Sequence, residues 1–123
     1  MYQVLLIDDE PWALYGLKTL IDWEALGYRI AGEAENGLKA MELLNKGNID
    51  VAISDIRMPE MRGDEFLEWI KSNQLFKHIP VVMLSSEDST TERIRLLQEG
   101  AEDYIVKPFN PMELKVRIKK IIE

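Results

Sequence analysis

VAISDIRMPEMRG, residues 51–63, decides the fold. Its opening run, Val51 to Ser54, is short, apolar and rich in branched side chains, and it stops on a carboxylate, Asp55. Met58-Pro59 then follows three residues on. A run with no polar alternation reads as a strand covered on both faces. Such strands sit in parallel sheets with helices on either side, so the flanking chain should alternate strand and helix.

Working outward, it does. Val4-Leu5-Leu6-Ile7 is an apolar run that ends in Asp8-Asp9. A helix follows from Trp12 to Ile21, with Pro11 near its start and Ala13, Leu17, Leu20 and Ile21 on one face. Tyr28 to Ala34 reads as a second strand. Asn36 caps a helix over 37–46, and Gly47 stops it. After Asp55 a helix over 64–73 turns Phe66, Leu67 and Ile70 inward. Pro80 introduces a fourth strand, Val81-Val82-Met83-Leu84. Ser89-Thr90-Thr91-Glu92 is a capping box that opens a helix to Glu99, closed by Gly100. Tyr104-Ile105-Val106 is a short fifth strand. Asn110-Pro111-Met112-Glu113 opens a last helix, with Leu114, Ile118, Ile121 and Ile122 on one face. Right-handed crossovers then give a five-stranded parallel sheet, and residues 1–123 read as one domain.

Composition narrows the function classes. A chain of 123 residues can bury a sizeable core without staples. It has no cysteine, which excludes disulfides and thiolate metal sites. No apolar stretch approaches the ~20 residues of a membrane span, and the N-terminus lacks a secretion signal. A cytoplasmic protein is the expectation. The formal net charge of −7 repels phosphate backbones, so direct nucleic-acid binding is disfavoured. His78 and the basic set Lys115, Arg117, Lys119 and Lys120 read as solvated residues. Trp12 follows the acidic cluster and can border a site there, whereas Trp23 and Trp69 read as packing or helix-surface residues.

In an open parallel sheet, ligands bind beyond the carboxyl ends of the strands. Strand one delivers Asp8, Asp9 and Glu10 to that edge, strand three Asp55, strand four Ser85 and Ser86, and strand five Lys107. Gathered carboxylates raise one another's pKa unless a cation intervenes. An all-oxygen set suits a hard divalent ion, and Mg²⁺ takes one or two carboxylates while keeping waters. One divalent cation and one lysine balance three carboxylates. A site so balanced can accept a phosphoryl group, and an aspartate can be the nucleophile.

IDDEP (7–11), SDIRMP (54–59), MLSS (83–86) and VKP (106–108), in this order, resemble the response-regulator receiver domain of two-component signalling. The resemblance runs from Val4 to Ile122. It implies a flavodoxin-like, doubly wound (βα)5 three-layer sandwich with strand order 2-1-3-4-5. It implies a phosphoacceptor switch, not an enzyme in the ordinary sense, that takes a phosphoryl group on Asp55 from a sensor histidine kinase with Mg²⁺ as cofactor. Asp9 would bind the metal directly, Asp8 through water, and Asp55 and the backbone carbonyl of Arg57 would complete the protein ligands. Lys107 would pair with the carboxylate and then the phosphoryl oxygens. Ser85 would bind the phosphoryl group, and Tyr104 would change rotamer when Ser85 moves. The Lys107-Pro108 peptide is expected to be cis. Ser85 stands where many receivers carry threonine, and Ser86 where alanine or glycine is frequent.

Arg57 and Glu87 occupy the two positions that tune phosphoryl lifetime in the family, and a pair between them across the site mouth is the expectation. The regulatory face would be helix 89–99, strand 103–106 and helix 110–122, where the domain would form a homodimer or engage an output domain. LIDWEALGYRIAGEAENG (20–37) resembles receivers joined to AraC-type helix-turn-helix domains, so DNA would be reached only through an output domain of a longer parent protein. Three rival readings fit the residues less well. An aspartyl-nucleophile phosphatase lacks its second acid here, because Arg57 stands two residues after Asp55. A flavin carrier would need a hydroxyl- and glycine-rich loop where Asp8-Asp9-Glu10 stands. An unphosphorylated interaction module would have no use for the full set of reactive groups.

Overall fold

The computed structural model describes residues 1–122, side chains through Ile121. Residue 123 and the side chain of Ile122, expected on the inner face of the last helix, lie outside that description. The order is β1 (Tyr2–Ile7), α1 (Pro11–Leu20), β2 (Tyr28–Ala34), α2 (Gly37–Asn45), β3 (Val51–Asp55), α3 (Gly63–Ser72), β4 (Val81–Ser85), α4 (Thr90–Gln98), β5 (Asp103–Val106) and α5 (Pro111–Ile122). The five strands are all parallel, in the order β2-β1-β3-β4-β5. This is the flavodoxin-like arrangement.

Strand side chains alternate between faces, and the two faces are covered by different helices. Val4, Leu6, Val51, Ile53, Val82, Leu84 and Ile105 meet Leu17 of α1 and Leu114 and Ile118 of α5. Leu5, Ile7, Ala52, Val81, Met83 and Tyr104 meet Ala40 and Leu44 of α2, Phe66, Leu67 and Ile70 of α3, and Leu96 of α4. Each fully buried Val, Leu, Ile, Phe or Met among them contributes roughly 1.5–3 kcal/mol of burial free energy, and the alanines less. The central strands carry apolar residues on both faces for this reason.

Helix ends follow their local chemistry. Asn36 Oδ1 accepts Lys39 N–H at 2.9 Å, and Asn110 Oδ1 accepts Met112 N–H at 2.8 Å. Three expectations are corrected. Leu20 is 55 % exposed, because the inward stripe of α1 steps from Leu17 to Ile21 (5 % exposed), leaving Leu20 at the rim. The box at Ser89 is only half made. Ser89 Oγ accepts Glu92 N–H at 3.2 Å, but the Glu92 carboxylate turns into the protein and is not returned to the cap.

Arg117 also leaves the solvated basic set. It donates to Asp103 at 2.9 Å and pairs with Glu113 at 3.0 Å, tying α5 to β5. Trp23 is buried and donates its indole N–H to Leu17 O at 2.9 Å, and Trp69 packs between Phe66 and Phe76. His78 is exposed in the turn after α3.

Candidate functional site

The strand order brings β1, β3, β4 and β5 side by side, so their carboxyl ends converge. Asp8 follows the last residue of β1, and its N–H bonds Ala34 O at 2.9 Å, which continues the pairing with β2. The side chain is 2 % exposed, yet it is not orphaned. Lys107 Nζ donates to Asp8 Oδ2 at 2.8 Å and to Asp55 Oδ1 at 3.3 Å. Asp9 is exposed at the rim, and one carboxylate oxygen from each of Asp8, Asp9 and Asp55 lies within 4.8 Å of the others. Of the sequence-derived ligands, all three side chains are therefore brought together.

The loop after β3 is held tightly. Ser54 Oγ donates to Asp55 O at 2.8 Å, and Gly63 N–H donates to Ile56 O at 2.8 Å. A Cβ at Gly63 would run into the Asp55 carbonyl, so the start of α3 can approach the end of β3 only with glycine there. Pattern reading of the sequence passed over Gly63. The close approach that requires it is visible only in three dimensions.

On β4, Lys107 N–H donates to Ser85 O at 2.6 Å, which sets the height of Lys107 at the edge. Lys107-Pro108 is cis, as expected. Ser85 is buried. Its Oγ accepts Glu87 N–H at 3.0 Å and donates to Glu92 Oε1 at 3.4 Å. Arg57 and Glu87 form an ion pair across the mouth of the site. Tyr104 is 2 % exposed, with its ring in the α2-α3-α4 core, and its hydroxyl donates to Glu87 O at 2.8 Å. The same hydroxyl lies 3.1 Å from Glu92 Oε1. Arg93 covers the ring at 5.4 Å. Trp12 is 77 % exposed beside the acidic loop and stacks edge-on with Tyr15 at 6.0 Å. Glu92 was not singled out by the sequence, because its place in a capping signature supplied a sufficient local reason for it.

Burial pushes the Asp55 carboxyl above its ordinary range; the Lys107 ammonium pulls it back, Asp8 pushes it up again, and the balance is upward. Burial opposes the charge on Lys107, but the hydrogen bond to Asp8 and the charges of Asp8 and Asp55 outweigh it, so the ammonium is held above its usual range. The Tyr104 phenol is raised, chiefly by burial. Chemically this is a half-buried carboxylate beside a fixed cation and a second, buried carboxylate. The all-oxygen donor set of Asp8, Asp9 and Asp55 fits a hard divalent cation.

Residues 4–119 match the response regulator receiver domain. The chain belongs to this family. Among its relatives, the chemotaxis protein CheY-3 of Vibrio cholerae is 36 % identical over 121 residues, which cover 98 % of this chain and 92 % of that protein. Histidine kinase P4 of Formosa agariphila is 39 % identical over 120 residues, covering 98 % of this chain but 8 % of the kinase. Among solved structures, the CheX-CheY-BeF3-Mg²⁺ complex from Borrelia burgdorferi superposes with a TM-score of 0.87 at 27 % identity, covering 99 % of this chain and 90 % of that one. The receiver is a two-component signalling module whose family partners are histidine kinases. Among the described residues no helix is long and apolar enough to cross a membrane.

Proposed function

We propose that Asp55 accepts a phosphoryl group from the phosphohistidine of a sensor histidine kinase. The observation that carries this is Lys107, whose one ammonium bonds Asp8 and Asp55 together at the edge where three carboxylates converge. An Asp55 oxygen attacks phosphorus, the phosphorus–nitrogen bond to histidine breaks, and the freed imidazole takes up a proton from water. The product is an acyl phosphate on Asp55. Lys107, already placed between two carboxylates, stays beside the oxygens that gain charge. Ser85, Tyr104, Arg57 and Glu87 serve as the hydroxyl donor, the coupled aromatic and the gate at the mouth. Asp8, Asp9, Asp55 and the Arg57 carbonyl would hold Mg²⁺, which supplies positive charge to offset the transferred oxygens. The Borrelia burgdorferi relative, solved with BeF3 and Mg²⁺, supports this pairing of ligands for the chain.

The output reading is a change in the face of α4, β5 and α5, which contains both Tyr104 and Glu92. That face would dimerise or meet a partner. Control of transcription through an AraC-type domain is the finer reading, resting on residues 20–37. There Trp23 and Tyr28 are buried, so much of that segment's character is packing. The relatives named as chemotaxis proteins, and the neighbour solved as a CheX-CheY complex, support a protein target for the switch.

Intact mass after incubation with acetyl phosphate and Mg²⁺ tests the core of this. One phosphoryl group is expected on the protein, none on Asp55→Asn and none with EDTA. An equal adduct on Asp55→Asn would move the acceptor elsewhere.

A further inference from the structure

Glu92 is the residue that the function does not yet use. It sits at the third position of α4, where its backbone N–H already satisfies the cap through Ser89 Oγ. Its side chain is free to point outward. Instead one oxygen, Oε1, lies 3.4 Å from Ser85 Oγ and 3.1 Å from the Tyr104 hydroxyl. A hydroxyl has one proton to give. The Ser85 proton given to Glu92 cannot also be given to an oxygen on Asp55. Tyr104 meanwhile has Glu87 O and Glu92 Oε1 in reach as acceptors, and its hydroxyl also meets the Ser85 side chain, so the three groups share one contact around Glu92 Oε1. Hydrogen bonds to a carboxylate are stronger than those between neutral groups.

We infer that Glu92 is a latch that holds the unphosphorylated state by occupying the Ser85 hydroxyl, so that the phosphoryl group must displace it. This rests on Asp55 being the acceptor. Glu92 is a positioning residue in this scheme, acting on the phosphoryl group only through Ser85. It also links the site to α4, because releasing the carboxylate frees the first turn of that helix from β4 and β5. A second restraint on α4 runs through Arg95, which bridges Asp64 of α3 at 3.5 Å and Glu99 at 3.4 Å. Both pairs are partly solvated and weak, whereas Glu92, like the buried Leu96, holds α4 from its inner side.

The test is the affinity of the Mg²⁺-loaded protein for beryllofluoride, measured by titration calorimetry on four chains: wild type, Glu92→Ala, Ser85→Ala and the double variant. Glu92→Ala is expected to tighten binding about five-fold, the worth of one ordinary net hydrogen bond, because the 3.4 Å contact from Ser85 to Glu92 is long for a bond to a carboxylate. In the Ser85→Ala background the same change should have no comparable effect, since the hydroxyl being contested is gone. A purely structural role would act alike in both backgrounds. Glu92→Gln keeps the side-chain volume with a weaker, neutral acceptor and should tighten binding in the same direction by less. It decides the matter alone if Glu92→Ala fails to fold. Unchanged or weaker binding in Glu92→Ala and Glu92→Gln, or equal tightening without Ser85, overturns the latch. Failure of the wild type itself to bind beryllofluoride overturns the Asp55 reading beneath it.

Discussion

Asp55 is held in a way that favours its protonated form, and this has a consequence for stability. Its folded-state pKa is raised, first by burial. Such a group supports folding fully below its unfolded value and loses that contribution as pH rises through the folded one. At neutral pH the ionised carboxylate is therefore a local liability of the metal-free protein. Asp55→Asn is expected to be more stable than wild type in urea titrations at pH 7 with EDTA. Its advantage should shrink as pH falls through the Asp55 folded-state value towards 3.8, where wild type regains the proton. An advantage that stays constant across that range would mean the charge is not its source.

Lys107 is the complementary case. Two carboxylates with little exposure share its ammonium, with side-chain exposures of 2 % for Asp8 and 15 % for Asp55. Removing one partner of a buried ion pair leaves an uncompensated charge and costs roughly 3–5 kcal/mol when burial is complete. The partial exposure here lowers the expectation for Lys107→Ala to about 2 kcal/mol. Thermal unfolding in EDTA and in Mg²⁺ checks it. The loss should be smaller with Mg²⁺ present, and a loss of equal size in both would argue that Lys107 acts through packing alone.

At the scale of elements, the junction of β3 and α3 is where geometry is least forgiving. Gly63→Ala would drive a methyl group into the Asp55 carbonyl, a backbone atom that cannot rotate aside. Overpacking of this kind costs about 1–3 kcal/mol. The urea midpoint should fall with an unchanged slope, and the rate of phosphorylation by acetyl phosphate should fall with it, because Asp55 moves. A stability loss with an unaltered rate would show that α3 yields and the strand end does not. The elements themselves were legible in the sequence wherever periodicity and caps agreed, as at Asn36 and Asn110. Leu20 misled because i+3 and i+4 partners of Leu17 are both apolar, and only packing against the sheet selects Ile21. Glu92 misled for a different reason. A capping signature is a local explanation, and the carboxylate answers a demand from β4 and β5 that lies seven and twelve residues away in sequence.

For the whole molecule, the alternation of apolar strands and amphipathic helices made the parallel sheet readable, while strand order came from family resemblance. The convergence of Asp8, Asp9, Asp55 and Lys107 followed once the sheet was parallel, since all strand ends then share one edge. Hidden from the sequence was the depth of Asp8, because burial of a carboxylate depends on the lysine that meets it from β5. The molecule also carries a net charge of −7, so any salt will relieve general repulsion. A cation site must be distinguished from that screening. MgCl2 should raise the melting temperature more than NaCl at matched ionic strength, by an amount that grows logarithmically with Mg²⁺ once its dissociation constant is passed. About 2.7 kcal/mol is expected at a hundredfold excess over that constant. Asp9→Asn removes one exposed carboxylate, a change that screening alone would barely register, and should bring the two salts close together. If the Mg²⁺ excess survives in Asp9→Asn, the ion is stabilising the molecule without this carboxylate, and the three-carboxylate site is the wrong place for it.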